Sequence, residues 1–210
     1  MILYVETNLL VGFAKGPEPR MAELLDAVHS GLRIVLPSIC IMEALSVFDA
    51  ERRARNRFTN ELQTQLTQLR RDVTSPHSAS LVTSLDSAVV ANTGLLNDIQ
   101  ARLALILERM SGLPHSRPAE LIDLPPRSLG MMLRLDVAFI LNPTDTLILQ
   151  TILNHARQDG DPVKAMLTGN TNDFATPETQ NAMQRAGINF FFPNTEAVLG
   201  WLQGHPEEDA

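Results

Sequence analysis

What this chain has little of narrows its class before any motif is read. A single cysteine, Cys40, in 210 residues rules out an internal disulfide framework and suits a reducing cytosol. Five scattered histidines, His29, His77, His115, His155 and His205, suggest no ligand set. Only two lysines, Lys15 and Lys164, stand beside fifteen arginines, and the net charge is −7. That balance argues against broad non-specific nucleic-acid binding. It leaves room for a nucleic-acid enzyme, because a cluster of metal-binding carboxylates is itself negative, and Arg suits bidentate phosphate contacts better than Lys. One Trp (Trp201) and one Tyr (Tyr4) offer few stacking platforms, although the eight Phe include Phe190, Phe191 and Phe192. No stretch approaches the length of a membrane span. The N-terminus is apolar for only five residues without a basic lead, so neither a membrane anchor nor a signal peptide is expected, and a cytoplasmic location is. No Gly-rich loop follows the first apolar run, which disfavours a nucleotide-binding domain.

What is present reads as an α/β chain. Hydrophobic content of 44% and charged content of 20% are those of an ordinary globular domain, long enough to bury a sizeable core. Ile2 to Val5 is a continuous apolar run of the kind found in strands buried on both faces. A short amphipathic helix is expected over 21–30, a second strand over 32–36, and a long helix capped by Ser38 and running to about Asp72. Ser75-Pro76 breaks it, and a second long helix follows from about 80 to 110. The proline-rich stretch 111–127 reads as a loop and 128–139 as helix. Asn142-Pro143 opens a further helix, Asn as N-cap and Pro at N1. Strands over 163–168 and 188–192 alternate with helices over 177–185 and 194–202. Alternating strands and helices mean a parallel sheet. The expected organisation is one domain over 1–203, with a helical insertion at about 50–125 and an acidic, frayed tail over 204–210.

Four acids sit where a plain core does not place them. Glu6 ends the first strand, where α/β sites gather their groups; the alternative is that Thr7 or Asn8 caps the next helix and Glu6 lies exposed nearby. Glu43 is the only charge between Ile39 and Phe48 and, at helical spacing, shares a face with Ile39, Met42 and Ser46, which aims it inward. A buried carboxylate needs a salt bridge, a proton or a metal. Asp145 opens a helix, where it also favours the helix dipole; Asp136 competes with it. Asp173 follows a strand, in a loop that also holds Asn170. Carboxylate oxygens without His or Cys suit Mg²⁺ or Mn²⁺ rather than zinc. Arg52, Arg53, Arg55 and Arg57 form a candidate RNA-guiding surface, or a solvated face paired with Asp49 and Glu51.

Taken in order, these segments resemble those of the PIN-domain nucleases. Val5-Glu6-Thr7-Asn8 resembles the family's opening Val-Asp-Thr-Asn; Pro37 to Glu43 resembles the strand-to-helix segment carrying its second acid; Asp145-Thr146-Leu147-Ile148-Leu149 resembles the third. Leu167 to Phe174 resembles the Thr-x-Asn-x-x-Asp-Phe loop that carries the fourth. The resemblance covers roughly 1–50 and 135–203. It implies a PIN-like α/β/α sandwich with a central parallel sheet and a helical insertion. It also implies a metal-dependent endoribonuclease that cuts single-stranded RNA with Mg²⁺ or Mn²⁺. Glu6, Glu43, Asp145 and Asp173 would be the metal-binding and catalytic acids, supported by Asn8, Thr168 and Asn170. A toxin with an antitoxin or other protein partner, and a homodimer, are both compatible with it. Glu6 departs from the family's Asp by one methylene, which leaves a non-catalytic PIN-like binding module as the alternative.

Overall fold

Four consecutive residues, Ile2 to Val5, are fully withdrawn from solvent. Burying each of such side chains is worth about 1.5–3 kcal/mol, so this strand anchors the sheet. The computed structural model describes residues 1–16, 20–26, 32–71, 74–110, 119–124 and 141–204. Among them the chain runs β1 (Ile2–Val5), α1 (Thr7–Lys15), α2 (Met21–Asp26), β2 (Arg33–Pro37), α3 (Ser38–Leu69), α4 (Ser78–Met110) and β3 (Glu120–Ile122). It continues with α5 (Pro143–Gln158), β4 (Lys164–Leu167), α6 (Thr171–Phe174), α7 (Pro177–Arg185), β5 (Ile188–Phe192) and α8 (Thr195–Gly204). The expected helix over 128–139, Asp136, His29, His115, His205 and the tail beyond Gly204 lie outside the described residues.

The five strands form one all-parallel sheet in the order β3-β2-β1-β4-β5. The order runs outward from β1 to β3 on one side, then resumes on the other side with β4. Right-handed crossovers therefore fall on opposite faces of the sheet before and after that reversal. The crevice between the carboxyl ends of β1 and β4 is the switch point where α/β sheets bind ligands. Register decides what emerges there. Val5 pairs with Leu167, so the next residues, Glu6 and Thr168, leave the sheet side by side.

Helix ends follow local chemistry. Gly16, at φ 97°, takes the left-handed conformation that stops α1, and its N–H bonds back to Gly12 and Phe13. Asn142 caps α5, with Pro143 in the first turn, as expected. Two expected caps are displaced. Glu6 itself, rather than Thr7 or Asn8, caps α1, and Pro37 rather than Ser38 precedes α3, with no side-chain cap. The expected loop over 111–127 contains β3, an edge strand paired to β2.

The boundary expected near residue 50 falls inside α3, one unbroken helix of 32 residues. The roots of α3 and α4 pack on α1, with Ala44, Ile99, Leu103 and Ile106 in the main core. Farther out the two helices pack on each other through Leu62 and Leu66. Buried Asn92 pins them: it accepts from Arg55 Nη1 and donates to the Arg55 carbonyl and to Thr59. The segment Ser78–Glu108 of α4 has a mean hydropathy of 1.2 over its most apolar window, enough by length and composition to cross a membrane. That corrects the expectation that no stretch approaches such a span.

Candidate functional site

The carboxyl edge of the sheet gathers all four acids in one neighbourhood. Glu6 caps α1 and is 1% exposed; Oε2 accepts from the Asn8 N–H at 2.6 Å and Oε1 from the Thr168 hydroxyl at 2.9 Å. Burial, abetted by the charges of Asp145 and Glu43, pushes its carboxyl up to about 7 against the pull of those two donors. Asp145, in the first turn of α5, is buried. Desolvation raises its carboxyl too, followed by the negative charges of Glu43 and Asp173. Asp145 thus lies close enough to Glu43 and Asp173 to feel the charge of both.

Each acid is held by a neutral side-chain donor: Glu6 by Thr168, Glu43 by the Thr7 hydroxyl, Asp145 by Asn142 and Asp173 by Asn170. Among the described residues none of the four pairs with Lys or Arg. The donors orient the carboxylates without cancelling their charge. Mutual repulsion of like charges in a partly dry site is the cost.

Most expected site residues therefore converge, with corrections of detail. Asn8 serves through its backbone N–H, and its side chain is exposed. Thr168 donates to Glu6 and Asn170 to Asp173, and the Thr168 hydroxyl also accepts from the Asn170 N–H. Glu43 is half-buried, but Met42 and Ser46 face solvent; the inward face of α3 there is Cys40 and Ala44. Periodicity misled because the apolar Met42 lies 68% exposed while the small residues pack. Cys40 is core as expected, its thiol pushed up to about 12 by burial.

The arginines are largely committed. Arg52 and Arg53 pair with Asp49, and Arg55 with Glu51 and Asn92, which is the solvated-face alternative. Arg57 is exposed. Two positioning groups escaped the sequence reading: Thr7 beside Glu43, and Asn142 in a role beyond its cap. The second carried a signal, because Asn142-x-x-Asp145 repeats the spacing of Asn170-x-x-Asp173.

As the side chains stand, no group of three or more His, Cys, Asp or Glu among the described residues is arranged to hold a metal ion. The donor chemistry nonetheless fits a hard divalent cation: neighbouring carboxylate oxygens held by neutral donors, with no Lys or Arg partner among the described residues. In comparisons with family models, curated proteins and solved structures, nothing matches the chain.

Proposed function

We infer that the chain is a PIN-like, divalent-metal-dependent endoribonuclease acting on single-stranded RNA in the cytoplasm. The carrying observation is the set of four acids gathered at the β1/β4 switch point, each held by a neutral donor and, among the described residues, with no Lys or Arg partner. A fold gains nothing from such a cluster, since each buried charge there is left to a proton or a cation from solution. The strand order and the resemblance of the four segments support the same reading.

Glu6, Glu43 and Asp145 would hold Mg²⁺ or Mn²⁺, with Asp173 as ligand or as a carboxylate orienting the others. When bound, such an ion supplies a water of lowered pKa and offsets charge growing on the phosphate. The chain's own work is positional. Thr168 and the Asn8 N–H fix Glu6; Thr7 fixes Glu43; among the described residues no Lys or Arg competes with a cation for these carboxylates. Of the α3 arginines proposed to meet a backbone phosphate, Arg57 is exposed, while Arg52, Arg53 and Arg55 are engaged with acids.

A second reading, a PIN-like protein- or RNA-binding module with a weakened metal site, is favoured by Glu6 itself. Both its oxygens already accept hydrogen bonds and almost none of it reaches solvent. The test is cleavage of a labelled single-stranded RNA by the purified full chain with Mn²⁺ or Mg²⁺, beside Glu6→Asp. The nuclease reading expects metal-dependent cleavage that stops in chelator. No cleavage by the wild type, with cleavage restored by Glu6→Asp, would select the binding module. A toxin role would further require that growth arrest on expression disappear in Glu43→Gln.

A further inference from the structure

Two of the four acids are delivered by the same local device. Asn170 stands at the N-cap position of α6 and its Nδ2 donates to Asp173 Oδ2 at 2.7 Å. Asn142 stands at the N-cap of α5 and its Nδ2 donates to Asp145 Oδ2 at 2.5 Å. In each case the amide precedes its carboxylate by three residues, and each amide nitrogen donates to the Oδ2 of its own acid.

Helix capping alone does not ask for this contact. A cap needs an acceptor for the N–H of the second or third helical residue, and Asn142 Oδ1 provides it for Asp145 N at 2.9 Å. The amide nitrogen is surplus to that task. Asn194, before α8, gives an internal comparison: its Oδ1 accepts from Ala197 N at 2.9 Å, the same capping bond, and the acid in that first turn, Glu196, sits one residue short of the position that Asp145 holds in α5. Capping and carboxylate holding are thus separable functions, and Asn142 performs both.

Asp145 needs holding. It is buried in the acid cluster, and the hydrogen bond from Asn142 Nδ2 fixes the direction of its Oδ2. A lysine in this place would hold the carboxylate too, yet would neutralise it and compete with any cation. A neutral amide orients the oxygen and leaves its charge available.

We propose that Asn142 is a positioning residue of the acid cluster, its side-chain amide fixing the orientation of the Asp145 carboxylate. This rests on the metal-site reading above. The test compares Asn142→Gly with Asn194→Gly in the full chain. Glycine is tolerated at an N-cap, so each variant should melt within about 2 °C of wild type. Mn²⁺ titration by calorimetry should show the dissociation constant raised about 10-fold in Asn142→Gly, the scale of lost outer contacts to a ligand, and unchanged in Asn194→Gly. Metal-free crystals of Asn142→Gly should show the Asp145 carboxylate turned from the orientation it has in wild type. An Asn142→Gly protein that leaves the carboxylate in place overturns the proposal, as does one that binds Mn²⁺ as wild type does. Should wild type itself bind no Mn²⁺, the metal-site reading fails while the position of Asp145 in the metal-free variant still decides whether Asn142 holds it.

Discussion

The two ends of the sheet treat their acids in opposite ways. At the amino ends of the strands, Arg33 bonds Glu120 and Asp159 at 2.5 and 2.8 Å, and the N-terminus pairs with Asp161 at 3.1 Å. His155 joins Glu120 to the hydroxyl of buried Tyr4. The Arg33 hydrogen bond holds the Glu120 carboxyl below its usual range; Asp159 is held low as well, where the Asp161 N–H and Arg33 outweigh burial. At the carboxyl ends, the hydrogen-bond partners of Glu6 and Asp145 among the described residues are neutral, and burial raises both carboxyls. Same sheet, same residue types, opposite electrostatics. Acids matched by cations hold elements together; acids left unmatched in a crevice are available to a ligand.

Breaking the unmatched end should have the largest effect. Glu43→Gln and Asp145→Asn are each expected to lower RNA cleavage by more than the about 100-fold that losing an outer contact can cost. Both should melt no lower than wild type in chelator, since each removes a repelling charge. Activity surviving Glu43→Gln would contradict the mechanism.

The next effect is on pH. A carboxyl raised in the folded protein stabilises it below its unfolded value, and that contribution is lost as pH rises through the folded value. For Glu6 the window runs from 4.5 to about 7. Metal-free wild type should therefore lose about 3 kcal/mol relative to Glu6→Gln across that interval. Denaturant titrations at both ends of it measure the difference, and Mn²⁺ should restore stability at the upper end. Glu120 and Asp159 act in the other sense, losing their contribution as pH falls. Parallel pH profiles for wild type and Glu6→Gln would deny that Glu6 is raised.

The smallest effect belongs to the matched end. Arg33 is 45% exposed, so Arg33→Met should cost about 1 kcal/mol or less. Cleavage per folded molecule should be unchanged. A variant that folds yet loses cleavage would mean the two ends are coupled.

These two ends were unequally legible in the sequence. The carboxyl end was largely readable because three of its acids follow a local pattern: Glu6 after an apolar run, Asp145 after Asn-Pro, Asp173 after a strand; Glu43 stood out only as a lone charge among apolar residues. The bounds of α7 and β5 were legible for the same reason, Pro177 opening one and Gly187 separating it from the other. The amino end was invisible, since Tyr4, Arg33, Glu120, His155 and Asp159 are joined only by tertiary pairing. β3 was hidden for want of a pattern, being three residues at the sheet edge with Leu121 49% exposed. Thr7 was overlooked because its partner, Glu43, lies 36 residues away.

The most direct measurement is a crystal grown without metal, soaked in Mn²⁺ and measured for anomalous scattering. The account predicts one strong peak at the switch point, coordinated by Glu6, Glu43 and Asp145 and absent after Asp145→Asn. No peak there at millimolar Mn²⁺, or a peak among Glu120, Asp159 and Asp161 instead, would contradict it.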